Sequence, residues 1–266
     1  MPFKKLTFIG LTSIALAILI FSFTSSSTPI NKEDLTPTVE AENSFALVEL
    51  YTSQGCSSCP PADRILSEIV DNAAKNNIRV YGLSFHVDYW NYLGWHDPYS
   101  DDEFNKRQRS YVDRLNGTAY TPQMIVNGSR LFVGSNKEEA TREIRAALGE
   151  DHEFSALEII GKVAEDGKTI TVDYKSPGSL DGHDLYLALV ERNLEDQVSM
   201  GENNGKNLHH DNVVRDFKKK EVLVETGTMT LTIPKGMKLE NASVIGFVQE
   251  KAQVKVVAVD EWVVKG

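Results

Sequence analysis

Val48-Glu49-Leu50-Tyr51-Thr52-Ser53-Gln54-Gly55-Cys56-Ser57-Ser58-Cys59-Pro60-Pro61-Ala62-Asp63 joins an apolar run to a helical pattern and holds both cysteines of the chain. Residues 45–52 have the β-branched and aromatic composition of a strand. From Pro60 onward, Ala62, Ile65, Leu66, Ile69, Val70 and Ala73 recur on one face, which predicts an amphipathic helix. Pro60 and Pro61 suit its first turn, where a missing amide donor costs little. Two thiols three positions apart at a helix start can close a disulfide locally, and the helix terminus favours a thiolate. Gly55 is expected to admit the turn and expose Cys56, while Asp63 opposes a thiolate.

Working outward, 79–87 reads as a second strand and 101–115 as a helix with a mixed apolar stripe. Residues 121–128 end in Asn127-Gly128, a hairpin signal, with 130–133 returning as the next strand. Asn136 is placed to cap a last helix carrying Ala140, Ile144, Ala147 and Leu148. The order is strand, helix, strand, helix, hairpin, helix. It resembles the thioredoxin fold, with Cys-x-x-Cys after the first strand and Thr121-Pro122 opening the hairpin. That resemblance implies a cis Pro122 opposite the cysteine pair.

A closer resemblance is to the DUF1223 family of secreted proteins. It rests on the segment quoted above, His86-Val87-Asp88-Tyr89-Trp90, Tyr120-Thr121-Pro122-Gln123-Met124 and Asn212-Val213-Val214-Arg215. It implies an α/β thioredoxin-like domain, here 45–150, followed by an antiparallel β-rich, sandwich-like domain, here 155–266. In the second region, 156–174 reads as a hairpin and 184–191, 221–226, 229–233, 243–249 and 254–262 as further strands. Residues 201–217 read as irregular, with Asn203, Asn207, His209, His210 and Asp211 lining a loop at the domain boundary.

The expected chemistry is thiol–disulfide exchange. Cys56, nearest solvent, is the attacking thiolate, and Cys59 resolves the mixed disulfide. Pro122 shapes the groove beside the sulfurs, and Thr121 offers backbone atoms to an extended client. Protein thiols or disulfides are the expected partners, with an external redox partner because no third cysteine exists; no nicotinamide, flavin or haem is called for. Ser57-Ser58 does not separate oxidant from reductant. The alternatives are an inert structural disulfide in an envelope binding protein and a metal-binding chaperone, although two thiols make only half of a four-thiolate zinc site. His86 and Asp88 share a strand face, and the insertion 90–99 adds two tryptophans, two tyrosines and the pair His96 and Asp97; it reads as a client groove or aromatic lid or as an ordinarily packed loop, with a metal centre using His86, Asp88, His96 or Asp97 as an overlapping alternative.

Lys4 and Lys5 followed by the apolar run 6–23 predict an exported chain, with 1–27 a signal peptide or an uncleaved membrane anchor. Residues 28–44 read as a polar tether. An oxidising compartment would let the cysteine pair hold a disulfide. The net charge of -10 repels phosphate backbones, which argues against nucleic acid as a partner.

Overall fold

The computed structural model describes residues 1, 28–39, 41, 43–152, 157–176, 181–221 and 225–265. The predicted signal or anchor lies outside them apart from Met1. Among the described residues no helix is long and apolar enough to cross a membrane. Residues 28–39 are not a free tether. A short helix α1 (Lys32–Leu35) buries Ile30 and Leu35 in the core, and the Asn72 side chain donates to the Ile30 carbonyl at 2.9 Å.

The first half follows the predicted order. Strand β1 (Ala46–Thr52) leads through the cysteine loop into α2 (Pro60–Asn76), then β2 (Val80–His86) and α3 (Asp102–Arg114). The hairpin β3 (Gln123–Val126) and β4 (Arg130–Val133) precedes α4 (Lys137–Leu148). Asp101 and Asn136 cap α3 and α4 by accepting from the amides of Glu103 and Glu139. The hairpin turn places Asn127 and Gly128 at positive φ, 48° and 67°. A Cβ at Gly128 would stand 1.9 Å from the Val254 carbonyl, so only glycine fits there. With β2 parallel to β1 and β3 antiparallel to it, this half is the thioredoxin-like arrangement β2-β1-β3-β4.

The second half is antiparallel and β-rich, as expected. It comprises β5 (Glu158–Val163), β6 (Thr169–Lys175), β7 (His183–Glu191), β8 (Leu194–Gln197), β9 (Asn207–His210), β10 (Val213–Glu221), β11 (Thr226–Thr232), β12 (Ala242–Glu250) and β13 (Val256–Val263). It is not a detached unit. Among the described residues one eight-stranded sheet runs β13-β12-β7-β10-β2-β1-β3-β4 through both halves. At the seam Val213 pairs with Ser84, while Asn212 bonds Ser84 through its carbonyl and Gly82 through its side-chain amide, both at 2.8 Å. A three-stranded sheet, β11-β6-β5, packs Ile159, Ile170, Val172 and Leu231 against Leu185, Leu187, Leu189 and Val244 of the large sheet.

The reading of 201–217 as irregular is corrected by β9 and β10. A bulge between Val214 and Asp216 breaks the alternation of β10, whose later residues are charged and exposed, so its pattern does not read as a strand. The strand expected at 229–233 falls in β11, which begins at Thr226 and ends at Thr232, whereas of the one expected at 221–226, Glu221 ends β10 and 222–224 lie outside the described residues.

Strand alternation sends Ala46, Val48 and Leu50 to the face covered by α2 and α4, and Leu47 and Tyr51 to the opposite face. That opposite face continues unbroken through Val214, Ala188, Val190, Ile245 and Phe247 of the second half. At its centre lies an ion pair. Arg107 of α3 donates to both oxygens of Glu49, at 2.7 and 2.9 Å, and Gln249 of β12 donates to the Tyr111 hydroxyl beside it. The rings of Phe85, Tyr111, Tyr186, Phe217 and Phe247 surround the guanidinium at 4.7–5.7 Å. The two halves thus share a charged core as well as a sheet.

Candidate functional site

Cys56 and Cys59 form a disulfide, with Cα atoms 5.5 Å apart. Cys59 is the N-cap residue of α2, and Pro60 follows as its first helical residue. The loop before it is tightened by the Cys56 amide donating to the Ser53 carbonyl and the Gly55 amide donating to the Ser53 hydroxyl. Ser57 and Ser58 face solvent, but both cysteines are 0% exposed. The expectation that Cys56 lies open to a partner is therefore not met.

Two segments lie against the cysteine loop as covers. Trp90, just beyond β2, lies over Gly55: a Cβ there would meet the Trp90 Cβ at 2.9 Å. The Trp90 indole donates to the Thr121 hydroxyl at 2.8 Å, so the insertion closes onto the hairpin. The second cover comes from the other half of the chain, in the turn 198–206 between β8 and β9. Asn203, fully buried, donates from Nδ2 to the carbonyls of Gln54 and Cys56, both at 2.9 Å. Beside it, Glu202 Oε2 accepts from the Ser57 amide at 3.0 Å.

The Thr121–Pro122 peptide is cis. Tyr51 of β1 pairs with Gln123, so the cis peptide stands at the same end of the sheet as the cysteine loop. The Pro122 carbonyl accepts from Gly134, and Pro122 is buried. Thr121 is half-buried, with its hydroxyl engaged by Trp90.

Behind the disulfide lies a buried polar cluster. His86 Nδ1 donates to Asp97 at 2.7 Å, and the rings of His86 and His210 are 4.8 Å apart. His210 Nδ1 is 3.7 Å from Asp63 Oδ1 on α2. Gln54 ties the group together, with its amide nitrogen donating to Asp196 at 2.9 Å and its carbonyl accepting from Trp95 at 2.9 Å. The Tyr99 hydroxyl also donates to Asp196, at 2.7 Å. Asp63 Oδ1, His86 Nε2 and His210 Nδ1 make no hydrogen bond with protein. Burial works to lower the His210 pKa, but the carboxylates of Asp63, Asp97 and Asp196 outweigh it and hold it above the usual histidine value. For Asp97, burial is outweighed by His86 and by the Gln54 and Tyr99 amides, which hold it below the usual range.

The segment 86–99 is thus partly sorted by the structure. His86 and Asp97 join the cluster. Asp88 turns to Asn105, and His96 is exposed. From the second region Asn203 and His210 reach the site, whereas His209 pairs with Asp211 at 2.9 Å. Sequence reasoning missed Gln54, Asp196 and Glu202. Gln54 lies inside the quoted segment, but nothing local marks Asp196 or Glu202, since their side-chain partners are 97 to 145 positions away. Among the described residues no three histidine, cysteine, aspartate or glutamate side chains are grouped to hold a metal ion.

A family model described as "Protein of unknown function (DUF1223)" matches residues 47–249, and the chain belongs to that family. None of the curated proteins matches it. The chain is similar to the crystal structure of protein AGR_C_4864 from Agrobacterium tumefaciens, at 28% identity and a TM-score of 0.59, covering 85% of this chain and 97% of that one. It also shares its fold with HBP35 of Porphyromonas gingivalis, at 12% identity and a TM-score of 0.55, covering 86% of this chain and 77% of that one.

Proposed function

We propose that this member of the DUF1223 family is an exported thiol–disulfide oxidoreductase that exchanges its Cys56–Cys59 disulfide with protein thiols. The observation that supports it is the disulfide at the start of α2, sharing one end of a thioredoxin-like sheet with the cis Thr121–Pro122 peptide. In the reducing direction, the Cys56 thiolate attacks a client disulfide. The client S–S bond breaks, a Cys56–client disulfide forms, and the departing sulfur takes a proton. Cys59, deprotonated, then attacks the Cys56 sulfur, releases the client dithiol and leaves the pair oxidised, with two electrons passed to the client. The reverse sequence oxidises a client dithiol. Residues 45–150 would carry the chemistry and 155–266 would supply its cover. Pro122 and Thr121 would flank the client segment. Export rests on the apolar run 6–23 and on the need for a compartment that permits a persistent disulfide.

Full burial of both cysteines supports a second reading, a structural disulfide in a binding protein. A trapping experiment separates the two. Reduced Cys59→Ser protein, incubated with an oxidised protein substrate, is expected to accumulate a mixed disulfide on Cys56, and Cys56→Ser to accumulate none. Wild-type protein should speed the reduction of that substrate by dithiothreitol. No adduct and no acceleration would leave the structural reading.

A further inference from the structure

Pro60 and Pro61 leave the first turn of α2 without free amides, and those of Cys59, Ala62 and Asp63 donate to carbonyls, so a Cys56 thiolate would depend on amides of the loop before the helix. In this protein one of those amides is already taken. Glu202, carried by the turn 198–206 of the second half, accepts from Ser57 at 3.0 Å, directly beside Cys56 in the chain. Asn203 fixes the turn by donating to the Gln54 and Cys56 carbonyls, and Lys206 directs its ammonium to Asn203 Oδ1 at 2.9 Å. The turn is closed on itself by bonds between Val198 and Lys206 and between Gly205 and Val198. The backbone that carries Glu202 is therefore fixed, and its exposed carboxylate is held by the Ser57 amide.

We propose that Glu202 is a positioning residue for the cysteine pair: its carboxylate occupies the loop amide of Ser57 beside Cys56 and disfavours the Cys56 thiolate, so the disulfide is the preferred state. The inference rests on the redox reading of the site. Hydrogen bonding by Ser57 holds the Glu202 carboxyl below its usual range, so it is charged wherever the thiol titrates. The other charged groups about the pair are Asp63 of α2, also negative, His210 behind it, and Lys206, which turns to Asn203. Reduction converts the S–S bond to two thiols with two electrons and two protons, supplied in the test by glutathione, which becomes glutathione disulfide. A thiolate that is harder to form leaves the reduced state less stable and the pair more reducing.

Glu202→Gln removes the charge and keeps an oxygen that accepts from Ser57. The thiolate absorbance of the reduced full chain reads ionisation cleanly, because the chain has only 2 cysteines. The expected result is a Cys56 midpoint lower by about half a unit to one unit. With it, the equilibrium with glutathione should move about three- to tenfold toward the dithiol at pH above the thiol pKa, or about 15–30 mV. The two proteins should converge at acid pH, where neither thiol is ionised. An unchanged midpoint in Glu202→Gln overturns the inference, including the case where Glu202→Ala alone speeds reduction, since that would make Glu202 a strap without an electrostatic role. Failure of all client exchange would sink the functional reading and still leave this midpoint measurable.

Discussion

Replacing Asn203 with alanine should unseal the disulfide without unfolding the protein. Its Nδ2 donates to two carbonyls at 2.9 Å, and its Oδ1 accepts from Lys206. The Cys56 carbonyl keeps a second donor, the Cys59 amide at 3.3 Å, so its loss falls at the lower end of the range. Each buried hydrogen bond contributes about 0.5–1.5 kcal/mol net, so the two carbonyl bonds together hold the turn closed by roughly 2 kcal/mol. If sulfur is reached only when the turn opens, the open population rises by that amount, and reduction should accelerate about 30-fold. The assay is the rate of disulfide reduction by excess dithiothreitol, followed by alkylation of the released thiols. It should be run with increasing urea below the unfolding transition: local opening gives a rate nearly independent of denaturant, global unfolding a steep rise. A wild-type rate in Asn203→Ala, with unaltered thermal stability, would refute the claim that this turn is the gate.

Two further outcomes follow from the core and the cluster. Glu49→Gln leaves the Arg107 guanidinium buried among five rings without its carboxylate, and should destabilise the fold by about 3–5 kcal/mol. Calorimetry should show a fall in Tm of roughly 10 °C, largely restored by a paired Glu49→Leu and Arg107→Met replacement of similar volume. His210 has a raised folded pKa, so its contribution to stability is complete below the ordinary value of about 6.5 and is lost as pH rises through the folded value. Unfolding midpoints of wild type and His210→Asn should therefore differ most near about pH 5 and draw together toward about pH 9. A constant difference across that range would show that His210 does not stay charged against Asp63.

The first half was legible because its signals are local. The period of Ala62 to Ala73, the Asn127-Gly128 turn and the Asn136 cap each specify an element within a few residues. The second half was readable as strands but not as an arrangement. No local signal shows that β10 crosses to β2, because the seam rests on Val213 and on the bonds of Asn212 to distant backbone. The same is true of the site. Cys56, Cys59 and Pro122 stand in recognisable short contexts, whereas their cover, Asn203 and Glu202, sits in a polar turn whose composition matches any surface loop. Burial of Cys56 was misjudged for that reason: a thioredoxin-like half alone says nothing about what another part of the chain lays over it.

The two-stranded sheet β8-β9 indicates which part of the cover can move. Its base is held by Asp196, bonded to both Gln54 and Tyr99, and by His210 packed against His86 and Asp63. Lifting the whole hairpin would strip these buried groups of their partners, at a cost of several kcal/mol. Lifting the tip of the turn breaks the two Asn203 bonds and the Glu202–Ser57 contact and parts Gly201 from Trp95, and Gly201 and Gly205, at positive φ of 72° and 79°, bracket Glu202 and Asn203. The weaker of these steps would open the cysteine loop on the side of the turn and withdraw the Glu202 carboxylate in the same motion, while Trp90 stays over Gly55. On the proposed redox reading, a partner that displaces the turn would meet a Cys56 whose thiolate is easier to form than in the closed protein, so access and activation would be one event.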